Sequence, residues 1–295
     1  MRVLITGSAG FVGRHLAQAC LKRGDDVTSI DIANGNDAMS YFLASRIRQY
    51  EATFDLVLHC AAFVQGRAGI DGRPAHLIAY NAMLDSAMFT WALPYRPRRV
   101  VYFSSSAAYP AWMQSGADPV RPLHEDDIDL DQIWAPEASY GREKLFGEQQ
   151  AAATRAEGVP VTVLRPFSGY GPDQSPDYPF RAFLDRARRR EDPFDVWGSG
   201  DQVRDWIHID DIVTATLTAA EREIDGPVNL CTGLGTTMSE LAQMVCEISG
   251  YKPFYAYHDD RPAGVDYRVG DARRLHEFFR PQVTLEEGIG RALMA

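Results

Sequence analysis

The sequence has no long apolar run, and this limits the classes of protein it can belong to. No apolar stretch approaches the roughly 20 residues that a membrane-spanning helix needs. The strand-like run at residues 2–6 leads directly into a glycine loop at residues 7–13, without the apolar region of a signal peptide. We therefore expect a cytoplasmic protein with no membrane partner.

Paired cysteines and metal-binding motifs are also missing. The four cysteines stand far apart in apolar segments, with no CxxC pair, and such residues usually act as small hydrophobic side chains. The seven histidines form neither an HxxxH nor an HExxH pattern. We expect a reduced protein without a metal site. The cysteines are Cys20, Cys60, Cys231 and Cys246.

An excess of basic charge is the third feature that the chain lacks. Thirty lysines and arginines face forty acidic residues, which gives a net charge of −10. This balance disfavours a nucleic acid partner, although a local basic pocket remains compatible with it. The 45% of hydrophobic and 24% of charged residues are typical of a globular protein. At 295 residues we expect one large domain or two modest ones.

A βαβ pattern opens the chain. The run 2–6 predicts a buried strand, and a helical segment with apolar periodicity follows the glycine loop and stops at Gly24. Glycines let the backbone approach a pyrophosphate, whose charge interacts favourably with the helix N-terminus. The spacing is GxxGxxG, one residue longer at the front than GxGxxG. The predicted cofactor-binding residues of this loop are Gly7, Gly10, Phe11, Val12 and Gly13.

An acidic residue ends the second predicted strand, 27–31. Asp31 stands 18 residues after Gly13, close to the distance typical of a dinucleotide-binding fold. Its carboxylate can accept hydrogen bonds from the adenosine ribose and would repel a 2′-phosphate. The position of Asp31 therefore favours NAD over NADP.

Further strand-like runs alternate with helical segments. The run 55–59 leads to the small residues Ala61 and Ala62, where a cofactor could lie against the strand end. The run 99–103 leads to three serines, and 159–164 leads to Arg165 and Pro166. This alternation predicts an α/β protein with a Rossmann-type, doubly wound parallel sheet, which binds its ligands at the carboxyl ends of the strands.

Tyr140 and Lys144 are spaced four residues apart at the start of a predicted helix, so both side chains share one helix face. An ammonium group beside a phenol stabilises the phenolate and lowers the pKa of the tyrosine, and a positive nicotinamide ring would lower it further. Such a tyrosine can take a proton from a sugar hydroxyl while hydride leaves the same carbon. By itself this spacing is also common in solvent-exposed helices.

Together, these motifs resemble the extended short-chain dehydrogenase/reductases, specifically the NAD-dependent nucleotide-sugar epimerase/dehydratase family. The similar segments run in family order along nearly the whole chain. They are TGSAGFVG, DLVLHCAA, YFSSSAAYP, YGREK, RPFSGYGP, VWGSGDQVRDWIHIDDIV, PVNLCTG and DDRPAGVDYRVGD. The resemblance implies transient oxidation of a nucleotide-diphosphate sugar to a ketone by tightly bound NAD, with Tyr140 and Lys144 in the catalytic set.

The resemblance also assigns roles to single residues. It places the catalytic serine at Ser105, with Ser106 as the alternative, and both would contact the substrate together with Tyr140. Ser104 would contact the cofactor or cap the strand end. Arg204 and Arg261 match the arginines that bind the substrate diphosphate. The implied cofactor-binding set further includes Ala61, Ala62, Asn81, Tyr140, Lys144 and Pro166.

The reaction itself stays open between alternatives. Family 4,6-dehydratases carry Asp-Glu after the catalytic residue, whereas this chain has Ser106 and Ala107. The stretch GRAGI at 66–70 resembles the GDP-mannose 3,5-epimerase branch, but the catalytic cysteine of that branch is replaced by Ala107 and its lysine is missing from residues 173–180. Epimerisation at C4 is therefore the leading hypothesis. A dehydratase or 3,5-epimerase with unusual residues, or an inactive NAD-binding protein, are the alternatives.

The domain organisation follows from the same reading. We expect an NAD-binding domain at residues 1–166 and a smaller C-terminal lobe at 167–295 that mainly binds the substrate. Part of 205–230 is expected to return to the first domain. The apolar helices around residues 77–93 and 140–148 resemble the interface helices of family homodimers, so we expect a homodimer.

Overall fold

The computed structural model describes residues 1–45, 54–63, 74–115, 121–136 and 138–295. The first part of the chain alternates strands with helices. Its elements are β1 (Arg2–Thr6), α1 (Phe11–Arg23), β2 (Asp26–Ile30), α2 (Ala38–Ser45), β3 (Leu56–His59), α3 (Pro74–Tyr95), β4 (Arg99–Phe103), α4 (Ser139–Ala156) and β5 (Val161–Pro166).

The second part has shorter strands. Its elements are β6 (Ser168–Tyr170), α5 (Pro179–Arg189), β7 (Phe194–Trp197), β8 (Val203–His208), α6 (Ile209–Glu221), β9 (Gly226–Leu230), β10 (Gly235–Thr237), α7 (Met238–Ile248), β11 (Tyr255–His258), β12 (Tyr267–Arg268), α8 (Arg273–His276) and α9 (Leu285–Met294).

A parallel sheet forms the centre of the protein. Within the described residues its strand order is β2-β1-β3-β4-β5-β9, and every neighbouring pair is parallel. The strands are rich in buried valine, leucine and isoleucine because helices cover both faces of the sheet. Helices α2, α3 and α4 pack on one face around Trp91, and α1 and α6 pack on the other around Leu16 and Ile212. The predicted doubly wound α/β fold is confirmed.

Helix α1 is fixed at both ends by glycines. It begins after Gly10 and ends at Gly24, whose φ of 85° is left-handed and whose N–H donates to the carbonyls of Cys20 and Leu21. This is the glycine cap that the sequence predicts at this position. The helix N-terminus consequently lies directly beside the carboxyl end of β1.

A smaller lobe carries its own core. Strands β6, β8, β10 and β12 form one sheet, and β7 pairs with β11. Helices α5, α7 and α9 pack against these strands around Phe180, Phe194, Leu241 and Ile289. The segment 205–230 connects the two parts, because α6 packs against α1 and β9 pairs with β5. The boundary at residue 166 stays a prediction.

Two contacts place the smaller lobe over the carboxyl ends of the parallel strands. Arg14 Nε on helix α1 donates to Asp173 Oδ2 over 2.8 Å. Arg268 on β12 donates to Gln114, which lies in the segment after β4. The smaller lobe thus contacts the start of α1 and the segment that follows β4. Among the residues described, no helix combines the length and hydropathy of a membrane span.

Candidate active site

The glycine loop joins β1 to α1 in a backbone path that other residues could not follow. Gly7 has a φ of 68°, and a Cβ placed there would lie 2.6 Å from the backbone nitrogen of Ala61. A Cβ at Gly13 would overlap the carbonyl oxygen of Gly7. The loop is therefore a shallow cradle at a helix N-terminus. The N–H groups of Gly7, Ser8 and Gly10 donate to carbonyl oxygens of the protein. The N–H groups in the first turn of α1 are therefore the donors that fit a pyrophosphate, as the predicted dinucleotide site requires.

Asp31 extends β2 and lies over this loop. Its Oδ2 accepts a hydrogen bond from Ala9 N over 2.9 Å, and its Oδ1 accepts one from Ala33 N over 2.8 Å. Each carboxylate oxygen keeps a further lone pair for a ribose hydroxyl. Phe11 and Val12, at the start of α1, are half-buried beside the loop. The predicted residues from Gly7 to Asp31 are thus brought together at the carboxyl ends of β1 and β2.

Asn81 holds the segment that follows β3. Its buried side chain accepts from Phe63 N over 2.6 Å and donates to Phe63 O over 3.1 Å. These two bonds fix the segment that contains Ala61 and Ala62, both half-buried against the glycine loop. Asn81 therefore supports the side of the site at which the cofactor is predicted, because its side chain holds the backbone of Phe63 in place.

The three serines after β4 point to different surroundings. Ser104 donates to Glu148 Oε1 over 2.5 Å and so belongs to a buried ion pair between Glu148 and Arg165. Ser105 is half-buried, and its Oγ accepts from Ala107 N over 3.1 Å, which leaves its hydroxyl proton for another partner. Ser106 is buried in the turn that follows. Of the three, Ser105 is the one that is not fully buried.

Tyr140 and Lys144 lie on one face of α4, with Lys144 Nζ 5.9 Å from the centroid of the Tyr140 ring. Burial raises the pKa of Tyr140 to about 12, and the nearby Lys144 ammonium only partly opposes this effect. The pKa of Tyr140 is therefore shifted upward, opposite to the lowering that its spacing from Lys144 predicts. The ammonium itself keeps its proton, because Glu143, Asp85 and Tyr140 raise the pKa of Lys144 in spite of its burial.

A buried polar cluster behind Lys144 was missed by the sequence reasoning. Tyr102 donates to Asp85 Oδ2 over 2.5 Å, and Asp85 Oδ1 lies 3.1 Å from His59 Nε2. Lys144 Nζ lies 3.4 Å from Tyr102 Oη and 4.0 Å from Glu143 Oε2. The one sign of this cluster in the sequence is the carboxylate of Asp85 within the apolar helix α3. These groups determine the charge around Lys144.

The two arginines that are predicted to bind the substrate lie in the smaller lobe. Arg204, on β8, donates to the carbonyl oxygens of Val203 and Ala263 over 2.8 and 3.2 Å. The second bond places its guanidinium against the chain segment that carries Arg261. The Arg261 side chain is 58% exposed, 5.9 Å from the Trp197 ring centroid, with Asp260 at 4.0 Å. The lobe thus presents two guanidinium groups near one loop.

Two further points complete the site. Pro166 is the last residue of β5, is half-buried and pairs with Leu230 of β9. It therefore lies at the carboxyl ends of the parallel strands, as the glycine loop does. The GRAGI stretch at 66–70 lies outside the described residues. Among the residues that are described, no group of three or more His, Cys, Asp or Glu could hold a metal ion.

Comparison with known proteins identifies the relatives of this arrangement. Residues 3–231 match the NAD dependent epimerase/dehydratase family. The GDP-mannose 3,5-epimerase of Arabidopsis thaliana is 27% identical, over 98% of this chain and 80% of that protein.

Solved structures agree with this relationship. The UDP-glucose 4-epimerase of Thermotoga maritima with UDP-glucose has a TM-score of 0.84 and 26% identity, and the match covers 100% of this chain and 98% of that one. MoeE5 in complex with UDP-glucose and NAD has a TM-score of 0.83, 29% identity and the same coverage. The chain therefore belongs to the NAD-dependent epimerase/dehydratase family, as its motifs predicted, and NAD is its cofactor.

Proposed function

We propose that this protein is an NAD-dependent nucleotide-sugar 4-epimerase that works through a transient 4-keto sugar. The observation that carries the proposal is the Tyr140–Lys144 pair on α4, a helix whose Gly141 packs against the backbone of Ala107, two residues after Ser105. Similarity to a UDP-glucose 4-epimerase and to a UDP-glucose complex supports a nucleotide-sugar substrate.

In the proposed site, the chain's own residues bind and orient the two ligands. The backbone from Gly7 to Gly13 would hold the cofactor diphosphate, and Asp31 would hold the adenosine ribose. Arg204 and Arg261 would hold the substrate diphosphate, because each guanidinium group can donate two parallel hydrogen bonds to the oxygens of one phosphate. When bound, NAD supplies a hydride acceptor at the sugar carbon.

Tyr140 would move the proton in both directions. In the oxidation, the Tyr140 phenolate would take the hydroxyl proton, and the hydrogen on C4 would leave with its electron pair as the hydride for which NAD supplies the acceptor, so that C4 becomes a ketone. Ser105 would donate a hydrogen bond to the reacting oxygen. After the sugar turns, hydride adds to the other face of C4 and Tyr140 returns the proton. No net oxidation occurs.

Proton abstraction from carbon is disfavoured by the residues near Ser105. A 4,6-dehydratase or 3,5-epimerase must remove a carbon-bound proton at C5 or C3 and needs an additional acid and base. In this chain Ser106 is buried in its turn and Ala107 has no ionisable group. The serine, tyrosine and lysine set is sufficient for inversion at C4.

Product analysis in D2O tests the proposal. The purified protein is incubated with UDP-, GDP-, CDP- and dTDP-sugars, and the products are followed by NMR. We expect an epimer at C4 with no deuterium in the ring. Ring deuterium at C3 or C5 would indicate the dehydratase or 3,5-epimerase alternative, and no turnover with any sugar would support an NAD-binding protein without activity.

We further propose that the protein forms a homodimer through α3 and α4. These two helices pack against each other, and both expose large apolar side chains: Met83 of α3 is 53% exposed and Phe146 of α4 is 36% exposed. Burial of such side chains by a symmetric copy would stabilise a dimer. The cytoplasmic location stays a prediction.

A further inference from the structure

Two carboxyl groups are buried behind the proposed catalytic pair. Asp85 of α3 is 1% exposed and Glu143 of α4 is 2% exposed. Asp85 accepts a hydrogen bond from Tyr102, and Glu143 Oε2 accepts one from Asn81 Nδ2 over 3.4 Å. Glu143 immediately precedes Lys144 in the chain. Neither carboxyl group takes part in the reaction proposed above.

Gly147 leaves space for the buried polar groups around Lys144. A Cβ at Gly147, one turn after Glu143 on α4, would overlap Tyr102 Oη and would lie 2.8 Å from Asp85 Oδ2. Any larger residue at position 147 would push Tyr102 and Asp85 away from the helix. The glycine thus lets the polar groups of β4 and α3 reach the face of α4 that carries Lys144.

The ammonium group of Lys144 lies closer to the ring of Tyr102 than to that of Tyr140. Lys144 Nζ lies 5.0 Å from the ring centroid of Tyr102 but 5.9 Å from that of Tyr140, and its hydrogen bond goes to Tyr102. Asp85 is held on the same side by Tyr102. A negative charge at Asp85 therefore attracts the cation toward the interior.

Two carboxylates beside one ammonium would leave a buried negative charge without a partner, which is costly in free energy. Glu143 Oε1 is buried and has no hydrogen-bond partner. Burial and the charge of Asp85 raise the pKa of Glu143 to about 8. Although burial opposes it, Lys144 and the bonds from His59 and Tyr102 lower the pKa of Asp85 to about 2. The raised pKa of Glu143 favours its protonated form at neutral pH.

We propose that Asp85 and Glu143 are positioning residues, which together hold the Lys144 ammonium on its Tyr102 side and set the charge that acts on Tyr140. The catalytic meaning of this inference rests on the proposed function. The arrangement itself is a property of the protein alone. At neutral pH, the positive charge of Lys144 faces one negatively charged carboxylate, and at alkaline pH it faces two.

The surrounding titratable groups do not remove this effect. His59 on β3 and Tyr102 on β4 contact Asp85, while Cys60 and Tyr178 face Lys144 and Tyr140 from the neighbouring segments. Glu148, one turn further along α4, is neutralised by its ion pair with Arg165. When Glu143 loses its proton, the added negative charge makes the Tyr140 phenolate harder to form, because like charges raise the pKa of an acid.

The first test detects the proton on Glu143 by infrared spectroscopy of the full-length protein labelled with ¹³C at the glutamate carboxyl. At pH 7 we expect the C=O band of a protonated glutamic acid, which disappears with a midpoint near pH 8. The Glu143→Gln variant should lack the band. Asp85→Asn should lose it at pH 7, since removal of the like charge lowers the pKa of Glu143. A band unchanged in either variant, or absent from the wild type, overturns the inference.

The second test follows Tyr140 by NMR of tyrosine labelled at Cζ, with the resonance assigned through its loss in Tyr140→Phe. Glu143→Gln should form about tenfold more Tyr140 phenolate than the wild type at a given alkaline pH, equal to about one unit of pKa. Identical titration curves would contradict the inference. Asp211→Asn is the matched control, because Asp211 is equally buried but accepts hydrogen bonds from Gln282 and Val283 N–H groups.

Kinetics link the inference to the reaction. With UDP-glucose as substrate, the ratio of kcat for Glu143→Gln to that of the wild type should be near one at pH 6.5 and rise about tenfold above pH 9. A constant ratio at all pH values would indicate a merely structural role. If UDP-glucose is not turned over, the proposed function is in doubt, while the two spectroscopic tests still decide the inference.

Discussion

Replacement of Gly13 by alanine tests the phosphate loop at its most crowded point. Gly13 lies in the first turn of α1, against the backbone of Gly7 and Ser8. A Cβ there would be 2.8 Å from the carbonyl carbon of Gly7 and 3.1 Å from Ser8 Cα, and it would overlap the Gly7 oxygen. These neighbours are backbone atoms, which cannot turn aside as a flexible side chain can. The loop must therefore move as a whole.

The required movement gives the size of the effect. Carbon atoms pack best at about 3.5 Å, so the contact with the Gly7 carbonyl carbon alone requires the loop to retreat by about 0.7 Å. The overlap with the Gly7 oxygen requires a larger retreat still. Such a shift misaligns the N–H groups that would bind the cofactor diphosphate. Loss of one or two hydrogen bonds to a charged group, at about 1.5–3 kcal/mol each, raises the Kd for NAD roughly 10- to 20,000-fold.

Isothermal titration of NAD into protein freed of cofactor measures this change. Gly290→Ala is the matched control, because Gly290 also lies in a helix but a Cβ there meets nothing within 4 Å. We expect the control to bind NAD like the wild type and to be slightly more stable, by about 0.5–1 kcal/mol, owing to the better helix propensity of alanine. An unchanged Kd in Gly13→Ala would refute the assigned role of this loop.

Three further substitutions, and one control for the second of them, test other parts of the account. Tyr140→Phe should keep bound NAD, seen by absorbance, but lose turnover by roughly two to four orders of magnitude, and full activity would remove the mechanism. Arg165→Met should reduce the free energy of unfolding by about 3–5 kcal/mol in urea titrations, because Glu148 is left as an unpaired buried charge. Arg98→Met, which breaks an exposed pair, should change nothing measurable, and equal effects would contradict this reasoning. Met83→Glu should convert the proposed dimer to a monomer in analytical ultracentrifugation, and a retained dimer would exclude this interface.

The main features of the fold could be predicted because they depend on local sequence. Gly24 ends α1, and the strand before the glycine loop is β1 of a parallel sheet, as the spacing of apolar residues and glycines indicates. Asp31 also lies beside the loop, since a strand, a turn and a helix of fixed length bring it there. These relations involve segments close in sequence, whose geometry repeats between proteins.

The surroundings of Tyr140 could not be predicted in the same way. Its spacing from Lys144 indicates a shared helix face, and the structure places both there. Spacing says nothing about burial, however, and burial is what raises the pKa of Tyr140 to about 12. The electrostatics of the site depend on contacts between α3, α4 and β4, which only the folded chain brings together.

Asp85 shows the same limit. In the sequence it is one acidic residue in a long apolar helix, a position that could equally lie at a solvent-exposed edge. In the structure it accepts a hydrogen bond from Tyr102, 17 residues away in the sequence, and contacts the cluster around Lys144. Buried polar networks of this kind depend on tertiary partners rather than on periodicity.

The central claim is that a hydride leaves C4 of a nucleotide sugar and returns to the opposite face of the same carbon. The most direct test uses UDP-glucose that carries deuterium at C4, incubated with the purified protein in ordinary water and followed by NMR. The account predicts UDP-galactose that keeps the deuterium at C4, since the hydride is held by the cofactor and never exchanges with solvent. A product inverted at C4 that has lost this deuterium to water would contradict the account.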